Sequence, residues 1–173
     1  MSNYWKETAA IAKQTGKPTA TKVLVPTNEA LVRKSRTSAT CAWALAGISA
    51  YNLGLAYFEA PIRFAYGFEV TEVLFELGRA ISHWLVYPAL VLDLAILAAV
   101  VFLGFQAKRL RVWAHMALLA LLVADTAILV WFAWINGTNR FAVMMIHLLL
   151  FAFLWEGLRS AKLYARRKQT GDA

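Results

Sequence analysis

The chain has 173 residues, of which 60% are hydrophobic, and it carries a formal net charge of +8 at pH 7. Soluble domains are about 45–50% apolar, so this excess, gathered in four blocks, argues against a soluble domain and predicts an all-α integral membrane protein. The single cysteine, Cys41, excludes an intrachain disulfide and a metal site built from several cysteines.

Residues 1–38 form a polar segment of mixed charge, with a break at Pro26. The run 28–36 could form an amphipathic helix on the membrane surface, and a solvated tail is the alternative interpretation. Both interpretations place this positively charged segment at one membrane face, and we predict that this face is cytoplasmic.

The first predicted span covers about residues 39–58, which are uncharged and rich in alanine. Small side chains recur in it at every fourth residue: Ala42, Ala46, Ala50 and Gly54. Such a stripe lets helix backbones approach closely in lipid, so we predict helix packing at this surface. Ser49 and Asn52 lie near the middle of the span, where polar side chains need hydrogen-bond partners.

A short amphipathic helix is predicted in the connection after the first span. From Glu69 onward, apolar residues follow the spacing of one helix face: Val70, Val73, Leu74, Leu77 and Ile81. Glu69, Glu72 and Glu76 share the other face and could bind a cation, but a solvated acidic face explains them more simply. We place this helix on the outer side of the membrane.

Three further spans are predicted, at about 82–105, 112–134 and 141–158. About 20 apolar residues cross the roughly 30 Å hydrocarbon layer, and the 112–134 segment contains no Lys, Arg or Glu. The sequence therefore predicts a four-transmembrane-helix bundle over residues 39–158, followed by a basic tail, 159–173.

The orientation follows from the distribution of Lys and Arg. Fifteen of the 18 lie before the first span, between the second and third spans, or after the fourth, and three lie on the opposite side. This positive-inside bias predicts that both termini are cytoplasmic. It also accounts for the basic charge without a nucleic-acid partner, since anionic headgroups attract such segments. Ala- and Arg-rich usage favours a bacterial inner membrane.

Ionisable residues within the apolar spans are the candidate site, because burying them is costly. Asp93 and Asp125 are predicted at a similar depth, and His147 lies with them in the outer half of the bundle. There they could converge with Ser49 and Asn52 in an intramembrane polar cluster.

Three interpretations of this cluster are open. It could be structural, with carboxyls and a histidine joining helices, or it could relay protons or ions through Asp93 and Asp125. It could also serve redox chemistry, with His83 and His147 as axial ligands of a b-type haem, or with Asp93, Asp125 and His147 as metal ligands. The sequence contains no local haem or metal motif that supports the third interpretation.

The leading functional hypothesis is a small, non-catalytic membrane subunit or scaffold. Four spans leave little room for a separate substrate pathway, so we expect the lipid-embedded bundle to pack against other membrane proteins or to form a homo-oligomer. The alternatives are a haem- or metal-binding redox subunit using His83, His147 and Asp93, and a proton-coupled carrier.

Overall fold

The computed structural model describes residues 26–60, 67–137 and 140–170. A short 3₁₀ turn, His83–Leu85, precedes the third of the five α-helices found in these ranges. The helices are α1 (Asn28–Tyr57), α2 (Glu69–Ile81), α3 (Val86–Lys108), α4 (Val112–Asn136) and α5 (Phe141–Thr170). The described residues contain no strand, so the prediction of an all-α fold is confirmed.

Three of the helical segments are long and apolar enough to cross a membrane: His83–Lys108, Val112–Asn136 and Phe141–Thr170. Many of their large apolar side chains are exposed, such as Val91 and Trp134. Helices that are apolar on every side require lipid around them, so this surface indicates an integral membrane protein.

Helix α1 packs antiparallel against both α3 and α5. Ser35 Oγ donates a hydrogen bond to the Ala107 carbonyl (2.8 Å), and Trp43 Nε1 donates to the Val101 carbonyl (3.1 Å). The start of α1 and the end of α5 also meet, where Arg167 Nη1 donates to Asn28 Oδ1 (2.9 Å). We call this end of the bundle, together with the α3–α4 connection, the basic end, and the opposite end the α2 end.

Two helices extend past the ends that the sequence predicted. Helix α1 begins at Asn28, where the Thr27 side chain accepts a hydrogen bond from the Ala30 amide (3.2 Å) and caps the helix. Helix α5 continues to Thr170, with Ser160 and Ala161 still buried. Packing between the two helices favours helix formation in polar sequence that lies beyond the predicted spans.

Helix α2 begins at Glu69, as the periodicity predicted, but a different face is buried. Phe75 is 2% exposed, whereas Leu77 and Ile81 are 52% and 63% exposed. Glu69 is only 5% exposed, so the prediction of a solvated acidic face is wrong for this residue. The reason is that the first turn of α2 packs inside the bundle, where Glu69 faces Arg140.

The stripe of small residues on α1 divides between core and surface. Ala42 and Ala46 are buried, whereas Ala50 is exposed and a Cβ added to Gly54 would meet nothing within 4 Å. A four-residue repeat advances about 40° per step around a helix with 3.6 residues per turn, so the stripe winds away from the buried face.

Candidate functional site

Polar side chains from the long helices surround the start of α2. The Phe68 amide donates a hydrogen bond to Ser49 Oγ (2.6 Å), and the Val70 amide donates to Asp125 Oδ1 (2.9 Å). The first amides of a helix have no partner within it, and Phe68, at the N-cap position, offers no capping side chain. Residues that are distant in sequence therefore cap α2.

Asp125 and His147 form a buried pair between α4 and α5. His147 Nε2 lies 2.9 Å from Asp125 Oδ2, both residues are 2% exposed, and His147 Nδ1 lies 2.9 Å from the Val143 carbonyl. Since a carbonyl oxygen only accepts hydrogen bonds, Nδ1 carries a proton and donates a hydrogen bond to the Val143 carbonyl. Both nitrogens of His147 are thus engaged.

A second acid–base pair adjoins the first. Arg140 Nη1 lies 3.3 Å from Glu69 Oε1, and the Glu69 side chain is 6% exposed. Burial raises the pKa of Glu69 above its ordinary value, and the Arg140 guanidinium opposes this rise. The charges of Glu72 and Asp125 raise this pKa further and that of His147 lowers it, each to a smaller extent.

The raised pKa of Glu69 predicts a pH-dependent stability. The folded chain binds this proton more tightly than the unfolded chain, so the stabilisation is complete below the ordinary pKa of 4.5 and is lost as pH rises through the raised pKa. The unfolding temperature of the wild type should therefore fall relative to Glu69→Gln as pH rises from 4.5 towards neutrality. Glu59→Gln, at an exposed acid, is the control, and a parallel pH profile for the two variants would contradict the prediction.

Ser49 and Asn52, both predicted in the polar cluster, contact the segment that leads into α2. A Cβ added to Gly67 would lie 3.2 Å from Ser49 Oγ and 3.2 Å from Asn52 Nδ2. A glycine therefore allows the backbone to approach α1 closely. Asn52 Nδ2 also donates to Glu72 Oε1 (3.3 Å), which joins α1 to the first turns of α2.

Asp93 is not joined to this cluster. It is fully buried, and neither of its carboxylate oxygens has a hydrogen-bond partner among the residues that the structure describes. Within the described ranges, no group of three or more His, Cys, Asp or Glu side chains could hold a metal ion, so the structure does not assemble Asp93, Asp125 and His147 as a ligand set. His83 is exposed in the turn before α3, where its ring centre lies 6.3 Å from that of Tyr87.

A second polar cluster, which was not predicted from the sequence, lies at the basic end. His115 is fully buried, with Nε2 at 3.1 Å from Ser38 Oγ and 3.3 Å from Ser35 Oγ. Its Nδ1 lies 3.2 Å from the Arg111 carbonyl. Helical spacing could have indicated this cluster, because Ser35 and Ser38 share a helical face with Leu31 and Ala39, but the predicted first span begins only at residue 39.

Comparisons with protein families, curated proteins and solved structures give no match for this chain. The described residues thus form two polar clusters that hold helices together, one around the start of α2 and one around His115, and Asp93 is a separate buried carboxyl.

The absence of partners for Asp93 predicts that an apolar replacement increases stability. Asp93→Leu keeps the branching at Cγ and removes a polar group whose burial without a hydrogen bond costs about 1–3 kcal/mol. We expect a gain of about 1 kcal/mol in the free energy of unfolding, measured by denaturation in detergent. The matched variant Asp125→Leu should lose stability, and a loss of similar size at both positions would contradict the prediction.

Proposed function

We propose that the protein crosses the membrane four times. In this proposal α1 is a span in addition to the three long apolar helical segments. Helix α1 has 30 residues, about 45 Å of helix, and lies alongside α3 and α5. Helix α1 is less apolar than the three long segments, and this is compatible with a position in the membrane because α3 and α5 cover much of its surface. Tyr51 and Phe58, 56% and 79% exposed, would face lipid.

The proposed orientation places the basic end in the cytoplasm and α2 on the outer side, in a bacterial inner membrane. Its support is the excess of Lys and Arg at the basic end. A cysteine-reactive, membrane-impermeant label tests it in intact cells. With Cys41 replaced by Ser, a new cysteine at Glu59 should react and one at Arg109 should not. The reverse pattern would overturn the orientation.

We further propose that the protein is a non-catalytic membrane subunit or scaffold. The supporting observation is that Ser49, Asp125 and His147 are hydrogen-bonded to groups of the chain itself. Polar groups engaged in this way hold the fold and leave little capacity for a substrate. The protein would then act through its lipid-facing surfaces, on other membrane proteins or on a second copy.

The α1 surface offers a direct test of this role. A Cβ added to Gly47 meets nothing within 4 Å, and the neighbouring Ala44 is exposed, so a neighbouring helix could approach here. Gly47→Leu should leave the unfolding temperature of the isolated chain unchanged and abolish the larger assembly that we expect native mass spectrometry to detect for the wild type. Ala120→Leu, on an exposed position of α4, is the control. A wild type that is monomeric in native membrane extracts would overturn the proposal.

The redox alternative is tested with the same purified protein. Haem ligation by His147 would require it to give up its contact with Asp125 or with the Val143 carbonyl. A Soret band in protein purified from native membrane, lost in both His83→Ala and His147→Ala, would establish a b-type haem and replace the scaffold proposal.

The second candidate function is proton-coupled transport, which the position of Asp93 favours. A fully buried carboxyl without a partner is most readily accommodated with a proton bound, and a group that binds and releases a proton within the membrane can serve a carrier. Proteoliposomes with a pH-sensitive dye inside should show proton flux that Asp93→Asn abolishes. Thr126→Val is the control, and equal flux in wild-type and Asp93→Asn proteoliposomes would exclude this function.

A further inference from the structure

A cavity between the start of α1 and the last turns of α5 combines cationic and apolar groups. Its volume is about 680 Å³, and its lining includes Arg33, Arg36, Val32, Cys41, Tyr164 and Glu29. We infer that it binds an anionic phospholipid, with the phosphate at Arg33 and Arg36 and an acyl chain directed towards Cys41.

The level of the cavity fits a headgroup site. Ser35 bonds to the Ala107 carbonyl in the last turn of α3, immediately before the basic connection that follows Lys108. Ser35 therefore marks the edge of the apolar layer. The cavity extends from Asn28, beyond this edge, to Cys41, within the layer. Phospholipids have the same succession of charged and apolar parts across a membrane surface.

The charge of the lining selects an anion. The guanidinium groups of Arg33 and Arg36 form no ion pair with any other residue that the structure describes, whereas the nearby Lys34 pairs with Glu156. Glu29 also lines the cavity, and its single carboxylate reduces the charge of two guanidinium groups without cancelling it. Basic pockets between membrane helices on the cytoplasmic side are known to bind anionic headgroups.

The chain's own first residues match the cavity less well than a lipid. Residues 1–25 contain four Lys and one Glu, so they carry the same sign of charge as the two arginines. The apolar part of the lining, Val32 and the inner end at Cys41, needs an apolar ligand that also carries a negative charge. An anionic phospholipid supplies both, and inorganic phosphate supplies only the charge.

The test compares the binding of phosphatidylglycerol by the wild type and by two double variants. Each full chain is placed in nanodiscs of phosphatidylcholine that contain a minor share of phosphatidylglycerol. Native mass spectrometry after transfer to detergent counts the retained phosphatidylglycerol. We expect Arg33→Gln/Arg36→Gln to lower the affinity about 25-fold, at about fivefold for each guanidinium near an anionic surface. The charge-matched control Arg109→Gln/Arg111→Gln should retain the lipid. Equal losses of phosphatidylglycerol affinity in the two double variants would show that general surface charge explains the binding, and would overturn the proposal of a site.

A second measurement reports on the cavity itself. Cys41 is the only cysteine of the chain and lines the cavity, so bound phosphatidylglycerol should slow its reaction with a maleimide in the wild type. The Arg33→Gln/Arg36→Gln variant should lose this protection. Displacement of the lipid by inorganic phosphate would identify a phosphate site instead, and displacement by polyglutamate would identify an acidic protein partner. Either displacement overturns the proposal.

Discussion

Replacing Asp125 by alanine is expected to destabilise the bundle by about 3–5 kcal/mol. The carboxylate bonds to His147 Nε2 and to the Val70 amide, both at 2.9 Å. Its removal takes the partner from Nε2 of the buried His147 and from the part-buried Val70 amide at the start of α2. Removing one member of a buried acid–base pair has a cost of this order. Chemical denaturation in detergent, followed by circular dichroism, measures the difference.

The same variant should loosen α2 locally. Hydrogen exchange at the Phe68 and Val70 amides should accelerate more than exchange in the middle of α4, because the cap of α2 is lost.

The double variant Asp125→Leu/His147→Leu should cost less free energy of unfolding than the sum of its two single changes, as expected for residues that act as a pair. Thr126→Val is the control, since the Thr126 hydroxyl bonds within its own helix, to the Leu122 carbonyl. Equal costs for Asp125→Ala and Thr126→Val would contradict this account.

Replacing Gly157 by alanine should destabilise the basic end of the bundle by about 1–3 kcal/mol. A Cβ at this position would overlap Ser38 Oγ and Cβ and would lie 3.0 Å from His115 Cδ2. Ser38 cannot move away easily, because its hydroxyl bonds to the Ser35 carbonyl and lies beside His115 Nε2. Overpacking a close helix contact has a cost of this size. The unfolding midpoint in detergent measures it.

Gly47→Ala is the matched control for this substitution. Both glycines lie within helices, but a Cβ at Gly47 meets nothing within 4 Å. It should leave the unfolding midpoint unchanged or raise it, since alanine favours helix over glycine. Equal destabilisation at the two glycines would show that the α1–α5 contact is looser than these distances indicate.

Apolar length alone predicted the class of fold. Continuous runs of apolar residues between polar connections correspond to the thickness of a bilayer, and the three longest runs are the three helices long enough to cross it. The amphipathic period of α2 also predicted that helix from Glu69, because its spacing of apolar residues reflects local geometry. The existence of these helices depends on the length and the apolar period of a single segment, so each helix can be predicted without knowing what it packs against.

The tertiary structure decided which polar groups meet. Asp93 and Asp125 were predicted at similar depths, yet Asp125 pairs with His147 and caps α2, while Asp93 has no hydrogen-bond partner within the described part of the chain. The sequence alone could not separate them. Depth follows from residue number, but the direction of a side chain depends on how each helix is rotated against its neighbours. Helices apolar on every side carry no pattern that sets this rotation.

The same distinction explains the buried Glu69 and the buried His115. Each lies in a sequence that is compatible with exposure, Glu69 on an acidic face and His115 beside the basic connection. Their burial is set by partners far away in the chain, Arg140 for the first and Ser35 and Ser38 for the second. The sequence by itself determined a helical membrane protein and predicted a depth for each of its polar residues. Packing between distant helices determined which of those residues form a site.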